Sequence, residues 1–328
     1  LQSACKNAAT LRIKKAQLIC QQRSHFMPPK TGKKHAPMKN RSQNRRRDPQ
    51  RVAAPTVTPN AAPTAGHRYV AAPKPPQNGY FIWGRHAVFA ALDNPERRIA
   101  QIYAASDDGE SEINACLAQL PADRRSALPA IQRIDRQRLD AIGGAHDKAV
   151  HQAVAAAVWP LDPPHLDDFL ATHHGTQNLR LLLLDQLSDP RNVGAIMRSA
   201  RAFGVAAVIT TFRNAAEESG TLARAASGAL DHLPYLRVTN LARAIETLQQ
   251  EGICVAGLAG DGDMAVADLA TFDRLAIVLG AEGSGLRRLS RDHCDQLVRI
   301  DIDDQSDSLN VSNAAAIALY AASQTRSC

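Results

Sequence analysis

Residues 181–184 are four consecutive leucines. A strand that is apolar on both faces must be covered on both, which is the condition of a parallel sheet packed between helices. The residues that follow agree. Asp189-Pro190 opens a helix, with Asp189 as N-cap and Pro190 in the first turn. Val193, Ile196, Met197 and Ala200 form its apolar face, and Gly204 closes it. Residues 205–210 read as the next strand, and 241–250 as a helix ended by Gly252. Residues 253–258, 275–279 and 297–302 read as strands, and 310–322 as a last, alanine-rich helix. Strands alternating with helices predict an α/β domain with a mostly parallel sheet.

A smaller α/β unit is predicted upstream. Residues 85–92 look helical, with Val88, Ala91 and Leu92 on one face. Residues 99–104, 131–134 and 154–158 read as strands, and 110–120 as a second helix. Pro160, Pro163 and Pro164 then mark a linker with a short helix. The chain thus divides into an arm (1–78), a small domain (79–160), a linker (161–178) and the parallel-sheet domain (179–328). His173-His174 in the linker lacks a third ligand and reads as loop, so no metal is expected.

The formal charge of +7 conceals an asymmetry. Residues 1–78 carry 16 Lys and Arg against the single acid Asp48, a balance of +15. The remainder carries 23 against 31, a balance of −8. The arm also holds 10 of the 18 prolines and little apolar periodicity, so it cannot bury enough surface to offset its chain entropy. It is expected to be disordered. Lys33-Lys34 and Arg45-Arg46-Arg47 suit either a nonspecific tether to an RNA backbone or a solvated tail. The six cysteines form no C-x-x-C pair, so free thiols and a cytoplasmic location are expected. No apolar run approaches the ~18 residues of a membrane helix.

Three segments carry candidate chemistry, because their polar residues fall at strand ends, where open α/β sheets hold ligands. In 185–204, Asn192 sits in the first helical turn. Arg198 lies opposite Ile196 and Ala200, with Arg191 and Arg201 nearby. Clustered guanidiniums at a helix start suit a phosphate, although a solvated basic face uses the same residues. In 277–289, Gly280, Gly283 and Gly285 follow an apolar strand in the order G-x-x-G-x-G, unlike the dinucleotide order G-x-G-x-x-G. Glu282 stands among them, where a turn needs no carboxylate. In 301–322, acids precede Ser308, Leu309, Asn310 and Ser312, either as a site loop or as a polar cap of the last helix.

Together these segments resemble the SpoU/TrmH-type RNA ribose 2′-O-methyltransferases of the SPOUT superfamily, over essentially residues 80–325. GRHAV at 84–88 and HDKAVHQA at 146–153 resemble parts of that family's substrate-binding domain. Residues 233–257 are most similar to the bacterial branch that methylates a guanosine in the peptidyl-tRNA-binding loop of 23S ribosomal RNA.

The resemblance implies a sheet of five to six parallel strands with a C-terminal trefoil knot, a small domain like ribosomal protein L30e, and an obligatory homodimer with the site between protomers. It implies that S-adenosylmethionine binds bent in the knot against Gly280, Ile300 and Leu309. Arg198 would act at the 2′-hydroxyl. A guanidinium rarely gives up its proton, so stabilising a developing alkoxide or clamping an RNA phosphate is its physically easier task. Asn192 would orient Arg198 or the phosphate, and Glu282 would hold the arginine or the cofactor loop. Ser308 and Asn310 would position the hydroxyl and the knot loop.

The chain departs from the family pattern at Asp301 and Asp304, where Pro and Gly are usual, and at Ala153, where Gly is usual. Asp303 and Asp307 add further negative charge. The competing readings are a transfer RNA 2′-O-methyltransferase, an inactive RNA-binding assembly factor, and a nucleotide-dependent oxidoreductase. The glycine order disfavours the last.

Overall fold

The computed structural model describes residues 73–142, 151–303 and 308–324. The small domain holds four strands, β1 (Tyr80–Trp83), β2 (Ile99–Ala104), β3 (Ile131–Arg133) and β4 (Val154–Val158), in the order β1-β4-β2-β3. β4 runs antiparallel to β1 and β2, and β3 runs parallel to β2. Helix Arg85–Asp93 buries Ala87, Val88, Ala91 and Leu92 against this sheet. Helix Asp107–Gln119 starts three residues earlier than the periodicity predicts, because Ser106 caps it: the Ser106 hydroxyl accepts from Gly109 N at 3.0 Å.

The HQA turn at 151–153 is held by its own histidine. His151 Nδ1 accepts from Ala153 N at 3.0 Å, so its Nε2 carries the proton and donates to Asp140 at 2.8 Å. Ala153 sits at φ 63, the left-handed conformation that glycine adopts without steric cost. The rest of the 146–153 stretch lies outside the described residues.

The large sheet has seven strands: β5 (Arg180–Asp185), β6 (Ala207–Thr211), β7 (Tyr235–Val238), β8 (Cys254–Leu258), β9 (Met264–Ala265), β10 (Leu275–Gly280) and β11 (Gln296–Arg299). The order is β7-β6-β5-β10-β8-β11-β9, and every neighbouring pair is parallel. It is wider than the five to six strands expected, because β7 and the two-residue β9 are short edge strands. The leucine run behaves as its sequence requires. Leu182 and Leu184 join one buried cluster, and Leu181 and Leu183 the cluster on the opposite face. Burying each contributes roughly 1.5–3 kcal/mol.

Several boundaries differ from the sequence reading. Strand 297–302 ends at Arg299; its edge neighbour β9 offers only two residues, and Arg299 Nε turns to Asp301 Oδ1 at 2.8 Å. Strand 205–210 begins at Ala207, because Val205 N still bonds Ala200 O and closes the preceding helix. The last helix is Val311–Ser323, with Asn310 as its cap. Residues 73–78, assigned to the arm, are described: Pro76 O accepts from Gly79 N, and Gln77 O from Trp159 Nε1. The disorder expected of the arm otherwise concerns residues 1–72, which lie outside the described residues. In the linker, Phe169 and Leu170 of helix Leu166–Thr172 are buried in the second cluster. His173 stacks on Phe169, and His174 faces Glu251 Oε2 at 3.2 Å. Among the described residues no helix is long and apolar enough to cross a membrane.

The small and large sheets share one buried apolar cluster, which runs from Ile82 through Leu182 to Leu319. A charged network reinforces the junction. Arg97, 1% exposed, donates from Nε to Asp231 Oδ1 at 2.6 Å and from Nη1 to Glu218 Oε2 at 2.9 Å and Trp159 O at 2.9 Å. Tyr80 donates to the same Glu218 oxygen at 2.8 Å. Burial opposes charge on Arg97, but Tyr80, Asp231 and Glu218 outweigh it and the guanidinium pKa is raised.

Burial also pushes the thiols of Cys254 and Cys294 up to about 12. Their protonated form is favoured in the fold and hardly any thiolate exists at neutral pH. Both are therefore expected to resist a thiol-specific disulfide reagent at mildly alkaline pH until the chain unfolds. Because the folded values exceed an ordinary thiol value near 9.0, stability should fall as pH rises from about 9 toward 12. Rapid labelling of both under native conditions contradicts this.

Candidate active site

The ends of β5 and β10 lie side by side, with Gly280 paired in register to Asp185. Beyond β10 the chain folds back on itself: Ala281 pairs with Gly285, and Gly285 N donates to Ala281 O at 2.9 Å. A Cβ on Gly280 would lie 2.1 Å from the backbone carbon of Gly285, so no side chain fits there. Gly283 and Gly285 have φ 80 and 65, which is the physical need behind the glycine spacing. The loop is tied down at its exit. Asp185, fully buried, accepts from Arg287 N at 3.1 Å and from Arg287 Nε at 2.6 Å. The sequence reading did not single out this pair; its one local signal is a carboxylate that ends a wholly apolar run.

The same turn presents Glu282 to side chains from two distant helices. Asn192, in the first turn of helix Pro190–Ala202, donates from Nδ2 to Glu282 Oε1 at 3.0 Å. Asn310, the cap of the last helix, donates from Nδ2 to the same oxygen at 2.7 Å and to Asn192 Oδ1 at 3.2 Å. Its Oδ1 accepts from Ser312 N at 2.9 Å and from the Ser312 hydroxyl at 2.6 Å. Capping therefore orients the Asn310 amide so that its N–H groups point at the cluster. One residue from each of the three segments meets here, at the carboxyl ends of a parallel sheet.

The remaining candidates make no hydrogen bond to this cluster among the described residues. Arg198 lies on the exposed face of its helix and has no hydrogen-bond or ion-pair partner among the described residues. Six residues beyond Asn192, it is about 9 Å further along the axis and about 120° around it. Ser308 and Leu309 immediately precede Asn310 and are exposed. Ile300 follows the end of β11 and is half-buried. Asp301 and Asp303 are exposed, while Asp304 and Asp307 lie outside the described residues.

A parallel α/β domain with a glycine turn and an amide–carboxylate cluster at its strand ends, joined to a small α/β domain, defines a class. Residues 180–320 match the SpoU rRNA Methylase family, and residues 81–164 match the RNA 2'-O ribose methyltransferase substrate binding family. The chain belongs to the SpoU family of RNA methyltransferases. Among its relatives is the 23S rRNA (guanosine-2'-O-)-methyltransferase RlmB of Vibrio vulnificus, 39% identical over 249 residues that cover 75% of this chain and 97% of the relative. RlmB of Escherichia coli strain K12 is 38% identical over 249 residues, 75% of this chain and 98% of the relative. Among solved structures, the SpoU methyltransferase AviRb from Streptomyces viridochromogenes in complex with AdoMet has the same fold. Its TM-score is 0.60 at 22% identity, over 75% of this chain and 90% of that one.

Proposed function

We propose that this protein transfers the methyl group of S-adenosylmethionine to the ribose 2′-hydroxyl of a guanosine in 23S ribosomal RNA, within the peptidyl-tRNA-binding loop. The observation that carries the reading is the meeting of Asn192, Glu282 and Asn310 beside the Gly280–Gly285 turn. Two relatives matched over nearly their whole length are named for a 23S guanosine, which favours ribosomal over transfer RNA. The complete set of site residues argues against an inactive binder.

The donor fits the residues present. The turn is too close to the strand end for any side chain at 280, so a ligand there meets backbone. Apolar side chains at Ile300 and Leu309 remain partly or wholly exposed near the strand ends, as walls for the flat face of an adenine ring. S-adenosylmethionine supplies a methyl already activated on a sulfonium. Gly280, Ile300 and Leu309 bind and orient it. The protein must then hold the ribose hydroxyl in line and stabilise the charge that develops as its proton leaves. Ser308 positions the hydroxyl. Asn310 and Asn192 fix the Glu282 carboxylate, which anchors the turn or holds Arg198. Arg198 clamps an RNA phosphate or the developing alkoxide.

Arg198 is exposed and lies about a third of a turn around its helix from Asn192. The site is completed in a homodimer, one protomer supplying the arginine and the other the donor pocket. Exposed Ile302, Leu309, Ile317 and Tyr320, on the last helix and the segment before it, suit that contact. The insertion of β10 between β5 and β8, with the last helix returning beside Pro190–Ala202, suits a C-terminal trefoil knot. The small domain grips RNA as an L30e-like module, and the protein works in the cytoplasm.

Nucleoside mass spectrometry of ribosomal and transfer RNA from a deletion strain tests the reading. One 2′-O-methylguanosine is expected to vanish from 23S RNA and to return with the intact gene. An unchanged 23S profile overturns it. Removing residues 1–72 is expected to weaken RNA affinity and flatten its salt dependence without altering the single-turnover rate at saturating RNA. Identical salt slopes with and without the arm exclude a tether.

A further inference from the structure

A cavity of about 140 Å³ lies away from the cluster just described, on the seam between the two family-matched segments. Its walls are Trp83, Gly84, His86, Ala87 and Gln152 from one side, and Arg224 and Ser227 from the other. No carboxylate lines it. The nearby Arg85 is already paired with Glu112, Nε to Oε2 at 2.6 Å. Arg224 is half-buried and, like His86, has no hydrogen-bond or ion-pair partner among the described residues.

Two further features favour negative charge. Helix Arg85–Asp93 starts at the cavity without a side-chain cap, its N-cap being Gly84 at φ 88. Gln152 Oε1 takes the first N–H, from Arg85 at 3.1 Å, while the N–H groups of His86 and Ala87 have no intrahelical acceptor. Trp83, 5% exposed, lines the cavity as an apolar wall. The volume is several times the ~30 Å³ of one water, enough for a tetrahedral oxyanion but not for a whole nucleotide.

We infer that this seam cavity binds one backbone phosphate of the substrate RNA, held by Arg224, His86 and the start of helix Arg85–Asp93. The inference rests on the RNA-methylating reading above and names a contact in it outside the methyl-transfer centre. Because the walls come from both domains, the phosphate registers the RNA against their fixed junction rather than against either domain alone.

The test is binding of the full-length protein to a 23S RNA fragment that contains the target loop, across low to moderate salt. Arg224→Gln is expected to weaken binding about tenfold and to reduce the salt slope by about one. Phosphorothioate substitution should reveal one RNA position whose interference is present in the parent and lost in Arg224→Gln. The exposed Arg243→Gln serves as control and should retain it. An unchanged slope and interference pattern in Arg224→Gln overturns the inference. Binding of inorganic phosphate that depends on Arg224, without any change in the RNA slope, assigns the cavity to a free oxyanion and overturns it equally. The readout is binding, so failure of methyl transfer in the parent counts against the proposed function and not against this site.

Discussion

Arg198→Lys is expected to slow single-turnover methyl transfer by about 10²–10³-fold, the usual cost of losing one well-placed donor to a developing oxyanion. The side chain is exposed and bonds to nothing among the described residues, so the fold should not register the change. Lysine keeps the positive charge, so RNA affinity should move only a few-fold. What it cannot supply is a planar pair of donors that spans two oxygens, or a group certain to stay protonated beside a ribose hydroxyl. Rates measured with donor and RNA both saturating separate chemistry from binding. A rate within a few-fold of the parent removes Arg198 from the reaction.

The second large effect is structural. Arg97→Ala is expected to cost about 3–5 kcal/mol, because it strands the Asp231 and Glu218 carboxylates in a buried site. For a domain of this size that lowers the melting temperature by roughly 10 °C. Burial already pushes the Asp231 carboxyl upward, and Arg97 opposes that shift. Replacing Arg97, Asp231 and Glu218 together with apolar residues of similar volume should recover much of the loss, since the desolvation cost of the ions goes with them. Urea titration of the single and triple variants decides the matter. A single variant within about 1 kcal/mol of the parent contradicts the assigned network.

The two effects differ in how far they were legible in the chain. Arg198 was singled out among clustered guanidiniums at a capped helix start, and its proposed role came from the family resemblance. The Arg97 network was not singled out. Arg97 stands after a proline in a charged stretch, 121 residues from Glu218 and 134 from Asp231. Nothing in its neighbourhood marks it as the most buried arginine among the described residues. The short helix Gly220–Ala226 escaped for another reason: small residues carry little periodic signal, yet Gly220 is needed there, because a Cβ would sit 1.9 Å from the Trp83 ring.

The sequence by itself determined what depends on near neighbours. That includes the buried parallel strands, the capped helix starts, the glycine turn with its carboxylate, and the resemblance these motifs bear to one family. Only the tertiary structure decided which of them meet. Asn192 and Glu282 are 90 residues apart, and Asn310 lies 118 beyond Asn192. They converge because β10 inserts beside β5 and the last helix returns to the same strand ends. Strand order is a balance of burial over the whole chain, and no local stretch encodes it. The same balance left Arg198 on the exposed face of its helix.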